Sequence, residues 1–254
     1  MDLRVIGCHG GETPKHRTSA FVLDDRVAID AGSLTSGMDL KAQCALEAAL
    51  ISHAHLDHIR DLATIADNRN QNGTPPLIVA GTKTTIGVLQ KHFFNGLLWP
   101  DFSKIPKGRP AIRYLELKAE KPVKIAGYVV NAIPVSHTIA TCGFTVRGKH
   151  GVLAYSGDTG PTDRLWEVLN ETPDLKALLM EVSFPNHQHR LAHVSGHHTP
   201  ETMAADLRKL DLRKELPTLL YHIKPSFQAD VERECGKLKG VNLTVCGLGD
   251  QFLL

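Results

Sequence analysis

Three imidazoles and one carboxylate fall within six residues in the segment His53-Ala54-His55-Leu56-Asp57-His58. Neutral imidazole and carboxylate together suit divalent transition metals. The segment crowds too many ligands together for one ordinary tetrahedral site, so we expect two divalent metal ions. Zn²⁺ is the first expectation, with Mn²⁺ or Fe²⁺ as alternatives, because availability often decides which metal such a ligand set takes.

The chain around this segment indicates how the ligands are aimed. The apolar run Ala48-Ala49-Leu50-Ile51 directly precedes it and is typical of a buried β-strand. In an extended chain residues 53 and 55 share one side, and a following turn can bring 57 and 58 beside them, whereas a helix would scatter all four. We therefore predict a loop at the end of a strand, leading into a helix from Ile59.

The pattern His-x-His-x-Asp-His resembles the signature of the metallo-β-lactamase superfamily, whose hydrolases hold two metals between paired β-sheets. Further ligands of that family appear downstream in order, each after an apolar, strand-like run: His137, Asp158 and His222. The resemblance spans nearly the whole chain. It implies an α/β (α+β) fold, the four-layer αββα metallo-β-lactamase sandwich. It also implies one metal on His53, His55 and His137, a second on Asp57, His58 and His222, and Asp158 as the bridge.

The strand-like runs favour one domain over residues 1–254, a length that suits a single domain with a large core. A meander near the amino terminus is predicted to begin the first sheet, and the strand-rich stretch 112–155 to form the second. Residues 83–94 are predicted to be a helix. Near 92–110 the pattern dissolves into a proline-rich, aromatic segment, the candidate for a lid or insert loop. Its aromatic rings could stack on a base, but packing at the core edge or in a dimer is the favoured interpretation.

A second informative stretch runs from Glu181-Val182-Ser183-Phe184-Pro185-Asn186 to Ser195-Gly196-His197-His198-Thr199-Pro200. Both ends are similar to the class II cyclic-nucleotide phosphodiesterases. The region also resembles the tRNA 3′-processing phosphodiesterases, in which a glutamate and a histidine pair beside the metals. That resemblance implies catalytic roles for Glu181 and His197. The alternative is that His197 merely caps the following helix, for which Thr199 is already a good N-cap.

This chain departs from the pattern of the cyclic-nucleotide family at one position. That pattern continues after His-Leu-Asp-His with Gly or Ser three residues on, where this chain has Asp61. Such a carboxylate could repel a phosphate or bind a cationic substrate group if it lies near the cleft, or it could face solvent on the helix. The roles of four further histidines stay open; surface exposure is the first expectation for His187, His189, His193 and His198.

The predicted chemistry is hydrolysis of a phosphodiester. Two close divalent ions lower the pKa of a bridging water, so that hydroxide attacks near neutral pH. Asp57 would orient that water, and His197, kept cationic by Glu181, would protonate the leaving alkoxide. Among phosphodiesters we expect 3′,5′-cyclic nucleotides (cAMP or cGMP), giving nucleoside 5′-monophosphates. The alternatives are a tRNA 3′-processing-type endonuclease, a thioester or lactone hydrolase of the same fold and, from another class, a non-catalytic metal-binding regulator.

Composition indicates which kinds of partner to expect. The net charge of +2 is too small to predict a nucleic-acid surface, so a small-molecule substrate is expected, with a homodimer left open. Hydrophobic residues make up 42%, with no segment apolar enough for a membrane. The first residues have no secretory pattern, and five widely spaced cysteines suit reduced thiols, so a cytoplasmic location is expected.

Overall fold

The computed structural model describes all residues 1–254 and contains two seven-stranded β-sheets. One sheet is built, in chain order, from β1 (Asp2–Gly7), β2 (Ala20–Leu23), β3 (Val27–Ile29), β4 (Ala48–Ile51), β5 (Leu77–Thr82), β6 (Ile112–Leu117) and a final strand, Gln251–Leu253. The other contains β7 (Val123–Ile125), β8 (Tyr128–Val135), β9 (Thr141–Arg147), β10 (Val152–Tyr155), β11 (Leu175–Glu181), β12 (Thr218–Tyr221) and β13 (Leu243–Val245); the final strand is β14.

The chain forms eight α-helices. They are α1 (Leu40–Ala45), α2 (Leu56–Ile59), α3 (Leu62–Gln71), α4 (Lys83–Val88), α5 (Arg164–Asn170), α6 (His189–Ser195), α7 (Pro200–Leu207) and α8 (Gln228–Cys235). Short 3₁₀ turns lie at Leu34–Ser36, Asn186–Gln188 and Pro225–Phe227. None of these helices combines the length and the apolar character that crossing a bilayer requires.

Three buried apolar clusters lie between the layers and hold them together. The largest lies between the two sheets and contains Phe21, Phe144 and Tyr155. A second packs α3 against the outer face of the first sheet, and a third packs α5, α7 and α8 against the outer face of the second sheet. The predicted αββα sandwich is thereby confirmed.

Strand β4 shows why the sequence reads as it does. Ala48 and Leu50 face the core between the sheets, whereas Ala49 and Ile51 face the helix layer. Both faces are buried, so the strand is a continuous apolar run rather than an alternating one. It pairs in parallel with β3 and β5.

Two predictions about elements need correction. Strand β6 belongs to the first sheet, where it pairs in parallel with β5, and not to the second sheet. Its strand-like sequence does not say which sheet it joins, because both of its faces are packed, Leu117 toward the core between the sheets and Ile112 toward the helix layer. The helix predicted over 83–94 is α-helical only to Val88 and continues as a π-helix over Leu89–Phe93.

The aromatic residues of the segment near 92–110 pack inward. Phe93, Phe94 and Phe102 lie in the cluster under the first sheet's helices, and the Trp99 indole N–H donates to the carbonyl of Ala63 at 3.1 Å. These rings are therefore committed to the core edge rather than free to stack on a base. A lid role for the segment stays a prediction, as does the single-domain assignment.

Candidate metal centre

The predicted ligands meet at one edge of the sandwich because each follows the end of a strand. His53 and His55 come directly after β4, and Asp57 and His58 lie on the short helix α2. From the second sheet come three further side chains, placed after β8, β10 and β12: His137, Asp158 and His222. All seven predicted metal ligands are therefore brought together, although they span 170 residues of sequence, from 53 to 222.

The ligand atoms form two groups that match the predicted sets. In the first, the His53 Nε2 and His55 Nδ1 atoms are 3.0 Å apart, and the His137 Nε2 atom lies 3.3 Å from the same His55 nitrogen. In the second, the His222 Nε2 atom lies 3.3 Å from the Asp57 Oδ2 atom, with His58 completing the set.

Asp158 lies between the two groups. Its Oδ2 atom is 3.1 Å from the Nε2 atoms of both His58 and His222, and 3.9 Å from the Nε2 atom of His53. Its other oxygen, Oδ1, is buried and has no hydrogen-bond partner. A buried carboxylate oxygen without a donor is costly, and a cation would satisfy it. The set of imidazole nitrogens and carboxylate oxygens therefore fits divalent metal ions.

Charge interactions set the protonation states of this cluster. Burial alone would raise the pKa of Asp158, but His222 and His58 outweigh it and hold that pKa well below the usual range. The pKa of Asp57 is lowered for a similar reason, chiefly by its contact with His222. Burial lowers the pKa of His53 and of His222. Ionised carboxylates beside neutral imidazoles are the forms that bind metal.

His58 differs because it lies between two carboxylates. Burial would lower its pKa, but Asp158 and Asp30 raise it well above the ordinary value. Its Nδ1 atom is 2.7 Å from the Asp30 Oδ2 atom, and its Nε2 atom faces Asp158. An Nδ1–H donated to Asp30 leaves Nε2 as the metal-binding nitrogen, the arrangement by which outer carboxylates orient ligating histidines.

Asp30 is a site residue that the sequence analysis missed. It follows β3, is fully buried, and accepts hydrogen bonds from the Ser52 amide and hydroxyl at 2.8 Å each and from the Tyr155 hydroxyl at 2.6 Å. An aspartate directly after the apolar run 27–29 is a local signal in the sequence that could have indicated a polar residue at a strand end. Its hydrogen-bond partners could not be found in this way, because Tyr155 is 125 residues away in sequence.

Glu181 and His197 form a buried pair beside the cluster. Glu181 ends β11 with no exposure, and its Oε1 atom lies 3.4 Å from the His197 Nδ1 atom. The His197 ring centroid lies 5.0 Å from the ring centroids of both His137 and His222. Burial would lower the pKa of His197, but the Glu181 carboxylate outweighs it and raises that pKa above the ordinary value.

The loop before α7 explains this position. Gly196 ends α6 in the left-handed conformation, at φ +68°, and its carbonyl oxygen is 2.8 Å from the His137 Nδ1 atom. The helix cap is supplied by Thr199, whose hydroxyl accepts the Thr202 amide. His197 is therefore not needed as a cap, and its side chain is directed to Glu181 instead.

Two expectations about polar residues were wrong. His198 is fully buried rather than exposed, with its Nδ1 atom 3.1 Å from the Thr202 hydroxyl. Asp61 neither faces solvent nor lies free near the cleft. It is 5% exposed, and its Oδ2 atom accepts hydrogen bonds from the amide and hydroxyl of Thr35. His187, His189 and His193 are exposed as expected.

Comparison with known proteins shows which family the chain belongs to. A family model described as a beta-lactamase superfamily domain matches residues 26–223. The chain is 26% identical to a probable 3′,5′-cyclic-nucleotide phosphodiesterase of Yersinia pestis, over 90% of this chain and 79% of the relative. It is 25% identical to a ribonuclease Z of Bacillus licheniformis, over 91% and 90%. The structure of unliganded yeast PDE1 matches with a TM-score of 0.84 at 19% identity, covering 100% and 99%. The chain belongs to the metallo-β-lactamase superfamily.

Proposed function

We propose that this protein is a dinuclear-metal phosphodiesterase that hydrolyses 3′,5′-cyclic nucleotides to nucleoside 5′-monophosphates. The observation that carries the proposal is the Glu181–His197 pair beside the complete set of seven ligands. The ligand set alone would serve many hydrolases of this fold. An oriented acid next to it suits a reaction whose leaving group is a poorly stabilised alkoxide.

Each group has a distinct task in this proposal. Bound divalent ions would supply a nucleophile at neutral pH and neutralise charge on the phosphoryl group. Asp57 is the accessible carboxylate of the cluster, since its side chain is 29% exposed while that of Asp158 is 2% exposed. It can accept a hydrogen bond from the attacking water and orient it. Asp158 is buried among imidazoles and acts as a ligand only.

In this proposal His197 is the proton donor to the leaving group. Its Nδ1 atom faces Glu181, so its Nε2 atom points to the opposite side of the ring. Burial would lower the pKa of His197, but the Glu181 carboxylate raises it and so favours the protonated ring, whose Nε2–H can serve the O3′ atom of the nucleotide. The water oxygen adds to phosphorus, the P–O3′ bond breaks, and O3′ leaves with the proton of His197; of the two water protons, one stays with the phosphate and the other replaces the proton lost by His197. The ring opens to a 5′-monophosphate.

Cleavage of RNA 3′ ends is the second candidate. It is favoured by the 25% identity to ribonuclease Z over 90% of that protein's length. Against it stands the net charge of +2, because RNA binding draws much of its affinity from basic side chains at the phosphates.

The test is turnover of 3′,5′-cyclic AMP and cyclic GMP beside bis(p-nitrophenyl) phosphate and a precursor tRNA. Protein is reconstituted separately with zinc and with manganese. Asp158→Ala should abolish turnover, and Asp163→Ala, which changes an exposed aspartate, should leave it intact. Cleavage of the precursor tRNA without cyclic-nucleotide turnover would replace the proposal by the second candidate. Cleavage of the generic diester alone would leave only the metal chemistry.

A further inference from the structure

Ser183 joins the metal cluster to the Glu181–His197 pair. It is fully buried, and its Oγ atom lies 2.9 Å from the Glu181 Oε2 atom and 2.9 Å from the His222 Nδ1 atom. Ser183 comes two residues after Glu181, a spacing that puts both side chains on one face of an extended chain. Its amide donates to the His198 carbonyl and its carbonyl accepts the Lys224 amide, so its backbone is fixed on both sides.

We propose that Ser183 is a positioning residue that holds His222 and Glu181 through one directed hydrogen-bond chain. The chain runs from the Nδ1–H group of His222 to the Ser183 oxygen, and from the Ser183 hydroxyl to Glu181. The His222 half of this inference stands on the ligand cluster alone, and the Glu181 half rests on the proposed function.

The direction follows from counting protons. The Ser183 hydroxyl has one proton and three acceptors in reach: Glu181 Oε2 at 2.9 Å, His222 Nδ1 at 2.9 Å and the His222 carbonyl at 3.2 Å. Donation to either His222 acceptor would leave a carboxylate oxygen 2.9 Å from the hydroxyl lone pairs with no proton between them. Donation to Glu181 is charge-assisted and removes that repulsion. His222 Nδ1 must then be the protonated nitrogen.

This direction determines which His222 nitrogen is available to a metal. With Nδ1 protonated, the neutral ring has its lone pair on Nε2. That atom lies 3.1 Å from the Asp158 Oδ2 atom and 3.3 Å from the Asp57 Oδ2 atom, so a cation bound among the three would be needed to keep this lone pair beside two carboxylates. Fixing the tautomer of a ligating histidine from behind is how outer polar groups raise metal affinity.

The same chain orients Glu181. Its Oε2 atom accepts the Ser183 hydroxyl, and its Oε1 atom accepts the His198 amide at 2.9 Å. With both oxygens held, the carboxylate cannot rotate away from the His197 Nδ1 atom. One side chain therefore sets the tautomer of a ligand and the geometry of the pair beside it.

The direct test reads His222 in zinc-loaded wild-type protein by long-range proton–nitrogen NMR correlation, with His222→Gln giving the assignment. We expect a protonated Nδ1 and a zinc-bound Nε2. An unprotonated Nδ1 in the zinc-loaded protein would overturn the proposal. This measurement needs no variant of Ser183 and no substrate, so it stands whether or not the protein cleaves cyclic nucleotides.

Variants test whether Ser183 is the cause. Ser183→Ala should lower zinc affinity about 10–100-fold in competition with a chelator, the loss typical of an outer-shell change. Thr218→Val is the matched control, because it removes another buried hydroxyl from the strand that leads to His222, and its zinc affinity should not change. Ser183→Thr restores the hydroxyl and should restore the zinc affinity. An unchanged zinc affinity in Ser183→Ala would overturn the inference while leaving the proposed function intact. If Ser183→Ala lowers zinc affinity as expected but the wild-type protein does not turn over cyclic nucleotides, the inference about His222 stands and the proposed function fails.

Discussion

Replacing Asp30 with alanine should destabilise the metal-free protein far more than loss of a surface carboxylate. The Asp30 carboxylate accepts the Ser52 amide at 2.8 Å, the Tyr155 hydroxyl at 2.6 Å and His58 Nδ1 at 2.7 Å, all without solvent exposure. The Ser52 hydroxyl also donates to Asp30, but it has a second partner in His53 Nδ1 at 3.0 Å. Removing the Asp30 carboxylate therefore leaves three donors without an acceptor: the Ser52 amide, the Tyr155 hydroxyl and His58 Nδ1.

The magnitude follows from those three donors. Each buried donor left unsatisfied costs about 1–3 kcal/mol. Water entering the vacated space recovers part of this, so we expect a net loss of about 3–5 kcal/mol, the range for removing one partner of a buried charge pair. A typical domain has about 5–15 kcal/mol of stability, so the variant should unfold in much less denaturant. Asp30→Asn keeps the volume and one acceptor oxygen and should lose less.

The assay is urea unfolding of metal-free protein, read by circular dichroism. Asp39→Ala is the matched control, because Asp39 is an exposed N-cap of α1 whose removal should cost about 1 kcal/mol. If Asp30→Ala and Asp39→Ala showed equal unfolding free energies, the assignment of Asp30 as the buried anchor of this edge would be refuted.

Three further predictions concern the second half of the site. Glu181 raises the pKa of His197, so kcat should fall as the pH rises through that raised value; the same contact should stabilise the fold at low pH and lose that effect above it. This alkaline limb of the pH–rate profile should be missing in His197→Gln, and its persistence there would exclude His197 as the acid. Gly196→Ala should cost about 1 kcal/mol in thermal unfolding and weaken zinc binding, since φ is +68° and the added Cβ would lie 3.0 Å from His137 Nδ1; unchanged zinc affinity would count against it. Thr199→Ala should cost about 1 kcal/mol in urea unfolding through loss of the α7 cap while zinc affinity stays the same. A zinc affinity that fell with the cap would tie α7 to the metal centre instead.

The ligand cluster could be predicted because its signal is local. His53, His55, Asp57 and His58 lie within one strand end and one turn, where spacing alone indicates convergence. The sandwich was predicted from the family resemblance, which this motif carries. The finer assignments were less predictable: the strand-like character of β6 did not say which sheet it would join.

The groups behind the ligands were decided by tertiary structure. Asp30 meets Tyr155 across 125 residues and between the two sheets, and Ser183 meets His222 across 39, beyond the ends of the paired strands β11 and β12. Asp61 and His198 look like surface residues in sequence but are buried, because neighbouring segments supply their hydrogen bonds. Residue types and spacing therefore indicated the four ligands of the first motif, and the family resemblance added the three downstream ones. Only the packing of remote strands determined which buried polar groups orient them, because a buried donor or acceptor is tolerated only where the fold provides its partner.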